Sequence, residues 1–307
     1  MTPMLKRSLL AGAVCVLAIA HTGCSIKMIA INALGNALAS GSSGFAKDDD
    51  PELVRDAVPF ALKTIESLID SAPKHQGLLR AACSGFTQYA YAFIQQEADF
   101  IDAQDMDRAT AMRKRAKKLY LRGRDYGIRA FEVEFPGFGD ALRKAPDAAL
   151  AKLGKKHVTL IYYTAASWAA ALAIDIADST LSVDQVVIEK LMRRALALDE
   201  TYELGSLHDF FISWEAAHAT TGGSFAKARE HFARAITLAG GTRVSPFVSL
   251  AESVSLARAP EQNKKEFEQL LTEALAVDIS KAPDQKLANV IAQRRAKWLL
   301  SRIDELF

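Results

Sequence analysis

A short pattern rich in alanine and leucine recurs three times in the last third of this 307-residue chain. It reads ALALD at 195–199, AITLA at 235–239 and ALAVD at 274–278, so successive copies stand 40 and 39 residues apart. Each copy closes a stretch whose apolar residues follow helical spacing. A period of this length is typical of stacked helical hairpins, in which each hairpin buries its apolar face against the next. The chain is therefore constrained to an array of antiparallel helices.

Prolines and acidic residues mark where helices begin and end in the earlier part of the chain. Asp50-Pro51-Glu52 combines an N-cap carboxylate, a proline suited to the first turn and a first-turn acid, so a helix is predicted to start at Pro51. No segment shows the alternation of apolar and polar residues that marks a strand. Helices are predicted at 51–71, from 77 onwards, and at 107–135, 140–153, 158–178, 225–238 and 284–306.

These elements predict an all-α fold, an α-solenoid of divergent tetratricopeptide-like helical hairpins. The last helix, 284–306, is predicted to cap the array, because a terminal repeat needs a polar outer face. Tetratricopeptide pairs take about 34 residues, so the observed spacing implies enlarged turns. Armadillo or HEAT pairs remain the structural alternative.

The charge of the chain argues against a nucleic-acid ligand. Thirty-eight basic residues stand against 36 acidic ones, and the excess of two comes from Lys6 and Arg7 in the leader. Proteins that bind nucleic acid usually carry a basic excess that neutralises phosphates. We therefore expect a neutral mature protein that binds no nucleic acid.

The first residues predict export and lipidation. Lys6 and Arg7 precede the short apolar run 8–20, which suits a signal peptide at 1–23. Thr22-Gly23-Cys24 resembles the lipobox of bacterial lipoproteins, although His21 replaces the usual aliphatic residue. The chain is thus divided into a signal peptide at 1–23, a lipidated tether at 24–44 anchored through Cys24, and a repeat domain at 45–307. An ordinary secretory signal with a free Cys24 is the alternative.

These features place the protein in a bacterial cell envelope. Ser25 follows the lipidated cysteine, and the absence of Asp there favours the outer membrane, with the domain facing the periplasm. The run 158–174 carries no charge, but its polar Tyr, Thr and Ser side chains favour a buried central helix over a membrane span. Membrane contact is therefore expected through the lipid anchor only.

Groups of aromatic residues supply the candidate ligand contacts. Such groups build repeat cores more often than they line pockets, so a purely structural role remains the alternative. The predicted ligand-binding residues are Tyr89, Tyr162, Tyr163, Trp168, His208 and Phe211.

A basic run near the middle of the chain is the main charged feature. A solvated helix face would explain such a run, and a face that docks a protein partner is the alternative. The predicted docking residues are Arg113, Arg115, Lys118 and Arg122.

We find no motif for catalysis or for a cofactor. The chain has no Gly-x-Ser-x-Gly elbow, phosphate loop or dinucleotide fingerprint, and its histidines lack a paired metal-binding spacing. Cys83 is expected in the core, with no activating neighbour. We therefore predict a protein that is not an enzyme and needs no cofactor or metal. A hydrolase with an unfamiliar site is the remaining alternative.

Four segments together resemble one known family, the T component of tripartite ATP-independent periplasmic (TRAP) transporters. They are FAKDDDPELVRDAVPFALKTIESLI, CSGFTQYAYAFIQQEAD, RAKKLYLRGRDYGIRAFEVEFPGF and LANVIAQRRAKWLLSRIDELF. The resemblance covers 45–307 and implies an envelope lipoprotein of tetratricopeptide-like helices that forms a homotrimer.

The resemblance also implies a function. The protein would act as an accessory component that binds the periplasmic solute-binding (P) component of a TRAP transporter, and a hydrophobic or organic-acid ligand in a channel or cleft. A tetratricopeptide-type scaffold for envelope assembly, without a small-molecule ligand, is the alternative.

Overall fold

The structure of the protein, a computed structural model, describes residues 33–34, 42–257 and 260–307. The predicted signal peptide, Cys24 and most of the tether lie outside these residues and stay predictions. The described part is all-α, as predicted, and no strand occurs in it. The predicted boundary between tether and domain, at 44–45, falls inside the first helix described in full.

Sixteen α-helices follow one another along the described residues, and two of them continue directly into a π-helical turn. They are α1 (Ser42–Ala46), α2 (Pro51–Ser71), α3 (Gln76–Ala90, continuing as the π turn Tyr91–Gln95), α4 (Gln96–Ile101), α5 (Met106–Glu134), α6 (Phe138–Lys144), α7 (Pro146–Ala151), α8 (Val158–Ile174), α9 (Ser179–Ser182), α10 (Gln185–Leu198), α11 (Ser206–Ala217), α12 (Phe225–Ala239), α13 (Ser245–Leu250, continuing as the π turn Ala251–Ser255), α14 (Pro260–Ala276), α15 (Lys286–Ser301) and α16 (Ile303–Leu306).

The N-terminal signal of α2 acts as the sequence predicts. The Asp50 carboxylate accepts a hydrogen bond from the Leu53 amide at 3.0 Å, and Pro51 occupies the first turn, where no intrahelical N–H is needed. The helix ends at Ser71, also as predicted. Local capping chemistry therefore sets both the start of α2 and the phase of its apolar face.

Some predicted boundaries are wrong in detail. The helix predicted at 158–178 ends at Ile174. The helix predicted at 140–153 is two helices, α6 and α7, which meet at Ala145 because Pro146 lacks the N–H that would continue α6. The predicted last helix begins at Lys286 and is interrupted at Arg302.

The three repeated alanine- and leucine-rich segments close α10, α12 and α14, as the spacing predicts. The helices pack in sequence order as neighbours, with α3 on α5, α5 on α8, α8 on α10, and α11 on α12. The assignment to tetratricopeptide, armadillo or HEAT hairpins stays a prediction.

The uncharged helix α8 lies between other helices. It packs on α3, α5 and α10, and the segment Lys155–Ile174 is long and apolar enough to cross a membrane by length and composition alone. Slightly more than half of this segment, 56%, is buried against the rest of the described chain. That burial favours the predicted role as a central core helix.

Close helix packing around α5 depends on glycine. An added Cβ at Gly127 would lie 2.1 Å from the Thr164 hydroxyl oxygen of α8 and 3.0 Å from the Cys83 sulfur of α3. Cys83 is fully buried, as predicted, and burial raises its pKa to about 12, so this thiol stays protonated. The contact of α3, α5 and α8 thus leaves no room for a side chain at this point.

Buried side chains form two hydrophobic cores. The first core lies among α2 to α11, and the second lies among α11 to α15. Helix α11 supplies both, with Phe211 in the first and Ile212 in the second, and α15 supplies Ile291 to the first and Leu299 to the second. Only these two helices give fully buried hydrophobic residues to both cores in the described part of the chain.

The last long helix returns to the start of the fold. Helix α15 packs against α1 and α2, and Arg294 forms ion pairs with Glu52 at 3.3 Å and with Glu97 at 2.9 Å. The predicted capping helix therefore does more than cover one end. It joins the last hairpins to the first ones, so the succession of packed helices closes on itself.

We predict that Gly127→Ala destabilises the protein by roughly 1–3 kcal/mol, because the added methyl group overpacks the contact of α5 with α8 and α3. Urea unfolding followed by circular dichroism measures the effect. Gly154→Ala is the matched control, since nothing lies within 4 Å of a Cβ at Gly154. Equal stability of the two variants would contradict the packing argument.

Candidate binding recess

Tyr91 marks a recess inside the ring of helices. Half of its surface, 50%, is accessible to solvent. Nevertheless burial, together with the nearby carboxylate of Glu252, raises the pKa of its hydroxyl to about 12. Arg295 and Asp209 also act on this pKa, so these charged groups and the Tyr91 hydroxyl share one region of the molecule. We call the space bounded by Tyr91, Tyr162, Asp209, Glu252 and Arg295 the central recess.

Both π-helical turns lie at the central recess. Tyr91 opens the turn Tyr91–Gln95, and Glu252 lies in the turn Ala251–Ser255. A π turn inserts one extra residue into a helix, which re-aims the side chains near it, and such turns are frequent at functional sites. The two irregular turns therefore direct a phenol and a carboxylate toward one region of the molecule.

Arg295 connects the two sides of the recess. Its guanidinium donates to Asp99 at 3.0 Å and to Glu252 at 2.6 and 3.1 Å. Burial alone would lower the pKa of Arg295, but Glu252 and Asp99 raise it above its usual value. Its side chain also lies over the ring of Trp298, 4.6 Å from the centroid. Arg295 is thus a charge fixed by partners on two other elements.

A polar face of α11 forms another wall of the recess. Asp209 accepts hydrogen bonds from Ser249 at 2.7 Å, from Ser245 at 2.5 Å and from Arg243 at 3.2 Å. One turn further along, Ser253 donates to Ser213 at 2.9 Å. This wall is therefore polar and internally hydrogen-bonded.

Two buried donors near the recess lack a partner. Arg243 is 7% exposed and its Nη1 makes no hydrogen bond, and Gln96 is 3% exposed with an unpaired Nε2. Arg243 lies close enough to lower the pKa of Tyr162, and Gln96 does the same for Tyr91. Buried donors without partners are uncommon in folded proteins, since each costs about 1–3 kcal/mol. Both are suited to an acceptor supplied from outside the chain.

The six predicted ligand residues are distributed unevenly. Tyr162 is partly buried and lies beside Arg243 and Asp209, and burial raises its pKa to about 12. Tyr163 packs edge-to-face against Tyr162, with ring centroids 5.0 Å apart. Within the part of the chain that the structure describes, Tyr162 is the one predicted ligand residue whose pKa is influenced by a charged residue of the recess, Asp209.

The other four predicted residues lie in the core. Trp168 is 1% exposed beneath the guanidinium groups of Arg124 and Arg143. Tyr89 is buried against Phe93. Phe211 is fully buried, and His208 is 6% exposed. A ligand role for these residues stays a prediction, and it would need a rearrangement to expose them.

Three of the four predicted docking residues share one face of α5. Arg115, Lys118 and Arg122 are exposed, and their spacing places them on the same side of the helix. Lys118 and Arg122 line a shallow depression of about 390 Å³ together with Arg129, whose guanidinium lies over the Tyr126 ring. We call Arg115, Lys118, Arg122 and Arg129 the basic face.

Arg113 lies elsewhere on α5. It donates to Asp102 at 2.7 Å and to Asp99 at 3.0 Å, which fixes α5 against α4. Its charge is therefore engaged within the fold. Asp99 also pairs with Arg295, so Arg113 supports the same carboxylate that holds the recess arginine.

The structure joins two histidines that are 23 residues apart in sequence. His208 Nδ1 and His231 Nδ1 lie 2.8 Å apart, and His208 Nε2 donates to Glu200 at 3.1 Å. Because the ionised Glu200 can only accept, neutral His208 accepts at Nδ1 from His231. Glu200 is held in turn by Arg234 at 2.7 Å, whose hydrogen bonds lower the pKa of Glu200 to about 2.

The histidine pair is shielded from solvent. Burial, together with the neighbouring His208, lowers the pKa of His231 to about 4. The only thiol of the described residues, Cys83, lies in the first core against Thr164. No group of three or more potential metal ligands occurs within the described ranges. The pair is therefore best understood as a structural link between α11 and α12.

Sequence reasoning missed most of the recess. Tyr91, Asp209, Glu252, Arg243 and Arg295 come from five distant segments, and none belongs to a recognisable motif. Their common location follows from the return of α15 to the start of the fold. The only local signal is that Tyr91 belongs to the same aromatic-rich segment as Tyr89, the residue that the sequence analysis selected as a ligand contact.

The histidine pair predicts an acid-sensitive fold. A histidine whose folded pKa is lowered from about 6.5 to about 4 binds fewer protons when folded than when unfolded. Stability is therefore complete above pH 6.5 and is lost as pH falls toward 4, by an amount on the order of 2 kcal/mol. His231→Gln, which keeps an N–H donor but does not titrate, should flatten this slope in urea unfolding from pH 7 to pH 4. An unchanged slope in this variant would assign the acid sensitivity to other groups.

Comparison with known proteins identifies the family. The model of the TRAP transporter T-component family matches residues 47–307, nearly the whole of the described domain. An uncharacterized protein of Treponema pallidum (strain Nichols) is 28% identical to the chain over 306 residues, covering 93% of each chain. The resemblance inferred from the sequence is therefore confirmed, and the chain belongs to the TRAP transporter T-component family.

Proposed function

We propose that this protein is an envelope lipoprotein that binds the periplasmic solute-binding component of a TRAP transporter and holds a small ligand in the central recess. Membership of the T-component family, across residues 47–307, is the observation that carries the proposal. This membership supports an accessory role in TRAP transport, in a family of transporter accessory proteins rather than enzymes. Binding of the solute receptor and assembly as a homotrimer belong to the proposal.

The location follows from the same membership. A TRAP transporter component belongs to the bacterial envelope. The proposal adds that Cys24 carries the lipid and that the domain faces the periplasm from the outer membrane. The leader sequence supports the anchor, because a short apolar run after two basic residues precedes a cysteine flanked by small residues. An anchored domain meets a soluble receptor at a raised effective concentration if both occupy the periplasm.

The lining of the central recess favours an organic acid over a wholly hydrophobic ligand. The unpaired donors, Arg243 Nη1 and Gln96 Nε2, require acceptors, and a hydrophobic ligand would bury them without compensation. A carboxylate supplies two acceptor oxygens, one for each of these donors. The rings of Tyr91 and Tyr162 offer flat apolar area beside these donors, which suits the body of such a ligand.

The basic face is the proposed contact for the receptor. Its side chains are exposed, and exposed charges at a protein interface mainly increase the association rate and select complementary partners. The shallow depression between Lys118 and Arg129 gives this face a concave surface for one or two acidic side chains. We therefore expect an acidic region on the receptor.

A pull-down tests the central claim. The full chain, purified in detergent, is used as bait against periplasmic extract, with mass spectrometry of retained proteins and light scattering of the bait. Retention of a TRAP solute receptor on a trimeric bait supports the proposal. A monomer that retains only envelope-assembly proteins would instead support the scaffold function.

We predict that charge reversal on the basic face weakens receptor retention. Arg115→Glu combined with Lys118→Glu should lower the affinity roughly tenfold or more, with a reduced association rate, because both charges face solvent and have complementary partners only in the complex. Surface plasmon resonance at low and high salt measures both rates. Lys152→Glu with Lys265→Glu changes the charge equally at exposed positions away from α5 and should leave binding unchanged.

We also predict that Arg243→Gln abolishes binding of an aromatic carboxylate. Benzoate is the probe and benzamide, which has the same ring without the charge, is its control. Saturation-transfer NMR should detect benzoate on the native chain and show a loss of at least tenfold in affinity in the variant, as expected when a charge-assisted hydrogen bond is removed. The melting temperature is measured in parallel, because a loss of binding with a lowered melting temperature would report damage to the fold.

A further inference from the structure

The two hydrophobic cores divide the molecule into two halves that meet at the central recess. Tyr91 and Tyr162 belong to the half built on the first core, whereas Glu252 belongs to the half built on the second. Helix α11, with neighbouring contacts such as Arg234 of α12 to Glu200, is one connection between the halves, and the contact of α15 with the beginning of the fold is another. A change in the second connection would alter the recess and would disturb the first core only where Ile291 and Leu287 of α15 pack against it.

The second connection is largely electrostatic. We call it the seam, and it joins the segment 284–298 to residues 47–52 and 97–100. Its ion pairs are Lys47–Asp284 at 3.2 Å, Lys286–Asp49, Arg294–Glu52 at 3.3 Å, Arg294–Glu97 at 2.9 Å and Arg295–Asp99 at 3.0 Å. Rings also meet there, since Phe100 and Trp298 have centroids 5.2 Å apart, and Ile291 and Leu287 both pack against the first core.

Most charges of the seam remain in contact with water. The side chains of Lys47 and Asp284 are 55% and 77% exposed, and those of Arg294 and Glu52 are 43% and 56% exposed. Exposed ion pairs contribute little individually and are weakened by salt, because solvent and mobile ions screen them. The exposed pairs of the seam are therefore individually weak and can be exchanged for hydration, whereas Arg295 and Asp99, 13% and 22% exposed, form its least exposed pair.

The connection through α11 is of a different kind. Phe211 and Ile212 are fully buried on adjacent faces of this helix, one in each core. The hydrogen bonds of Asp209 with Ser245 and Ser249 add a polar link on the same side as the recess. A buried helix that serves both cores is the firm connection between the halves, and the seam is the weaker one.

We propose that the seam is an electrostatic latch, and that the two halves pivot about α11 when it opens, giving a ligand access to the central recess. Opening separates Arg295 from Asp99 while the pair of Arg295 with Glu252 stays within the second half. Recess and seam share this residue, so a ligand that draws Arg295 toward the recess would also loosen the latch. The inference requires only that the halves move, and it does not depend on the identity of a ligand or receptor.

Distance measurement between spin labels tests the latch directly. The full chain carries Cys15→Ser and Cys24→Ser, with labels at Asp56→Cys on α2 and Lys297→Cys on α15, both exposed and outside the ion pairs of the seam. Buried Cys83 is left in place. Double electron–electron resonance is recorded at low salt and at 1 M KCl, and then in the latch variant Lys286→Ser with Arg294→Ser.

A matched variant separates latch opening from a general loss of ion pairs. Lys190→Ser with Lys264→Ser removes two cations of similar exposure, which pair with Asp147 inside the first half and with Asp304 inside the second. Circular dichroism of every variant checks that the helices are intact.

The proposal expects a second, longer distance whose population rises roughly tenfold with high salt or in the latch variant, as the loss of a few weak exposed pairs allows. The matched variant should behave like the native chain at low salt. One unchanged distance under all conditions overturns the latch, and so does an equal response of the matched variant. Receptor retention in the pull-down is a separate readout, so failure of the latch and failure of the proposed function are distinguishable.

Discussion

The arrangement of the whole protein depends on the charged contact that Arg295 makes across the recess. This guanidinium pairs with Asp99, which lies 196 residues earlier in the chain, and with Glu252 on the second π turn. Removing one partner of such a buried group generally costs about 3–5 kcal/mol, because the remaining charge loses its compensation. The three groups therefore specify one relative position of α4, α13 and α15 as long as the seam is closed. A row of helical hairpins without this contact would have two free ends and no shared interior.

The two π turns show how regular helices are adapted to that interior. An uninterrupted α3–α4 helix would carry Tyr91 and Asp99 about two turns apart with helical phase unchanged. The extra residue in the turn Tyr91–Gln95 shifts this phase, so that Tyr91 meets the recess while Asp99 meets Arg295. The turn Ala251–Ser255 likewise directs Glu252 toward the recess. It follows the part of α13 whose serines donate hydrogen bonds to Asp209 of α11. Irregular backbone thus occurs where polar groups from several helices must converge.

Much of the fold could be predicted because its determinants are local. Asp50 and Pro51 set the start of α2 by capping chemistry, and the repeated alanine- and leucine-rich segments mark where three helices close. The uncharged segment of α8 was assigned correctly to the interior, since its alanines and polar aromatic residues suit close helix packing. The observed helix boundaries differ from the predicted ones where a proline or a single polar residue ends a helix, as at Pro146.

The recess could not be predicted because nothing local encodes it. Aromatic-rich segments suggested a ligand site, but a high local content of aromatic residues is mainly a sign of burial. Trp168 and Phe211 accordingly lie in the first core. His208 and His231 are separated by 23 residues, and no metal-like spacing revealed that α11 and α12 bring their rings together. Of the predicted ligand residues, Tyr162 lies near the charged groups of the recess because the central helix touches both core and recess, and its ligand role stays a prediction. Arg295 and Glu252 become part of one site only because α15 packs against α2.

The pairing of charges within the recess bears on how a transport accessory protein could use it. Arg243 and Arg295 each hold a carboxylate already, so neither offers an uncompensated charge to a ligand. The groups that remain for a ligand are the unpaired N–H groups of Arg243 and Gln96, and the hydrogen bonds that they donate are directional. Hydrogen bonds of this kind discriminate among ligands more than they increase affinity, because an incorrect partner leaves a buried donor unsatisfied. In the proposed role this balance is suitable, since a ligand that is selected but held weakly can be passed on to a receptor.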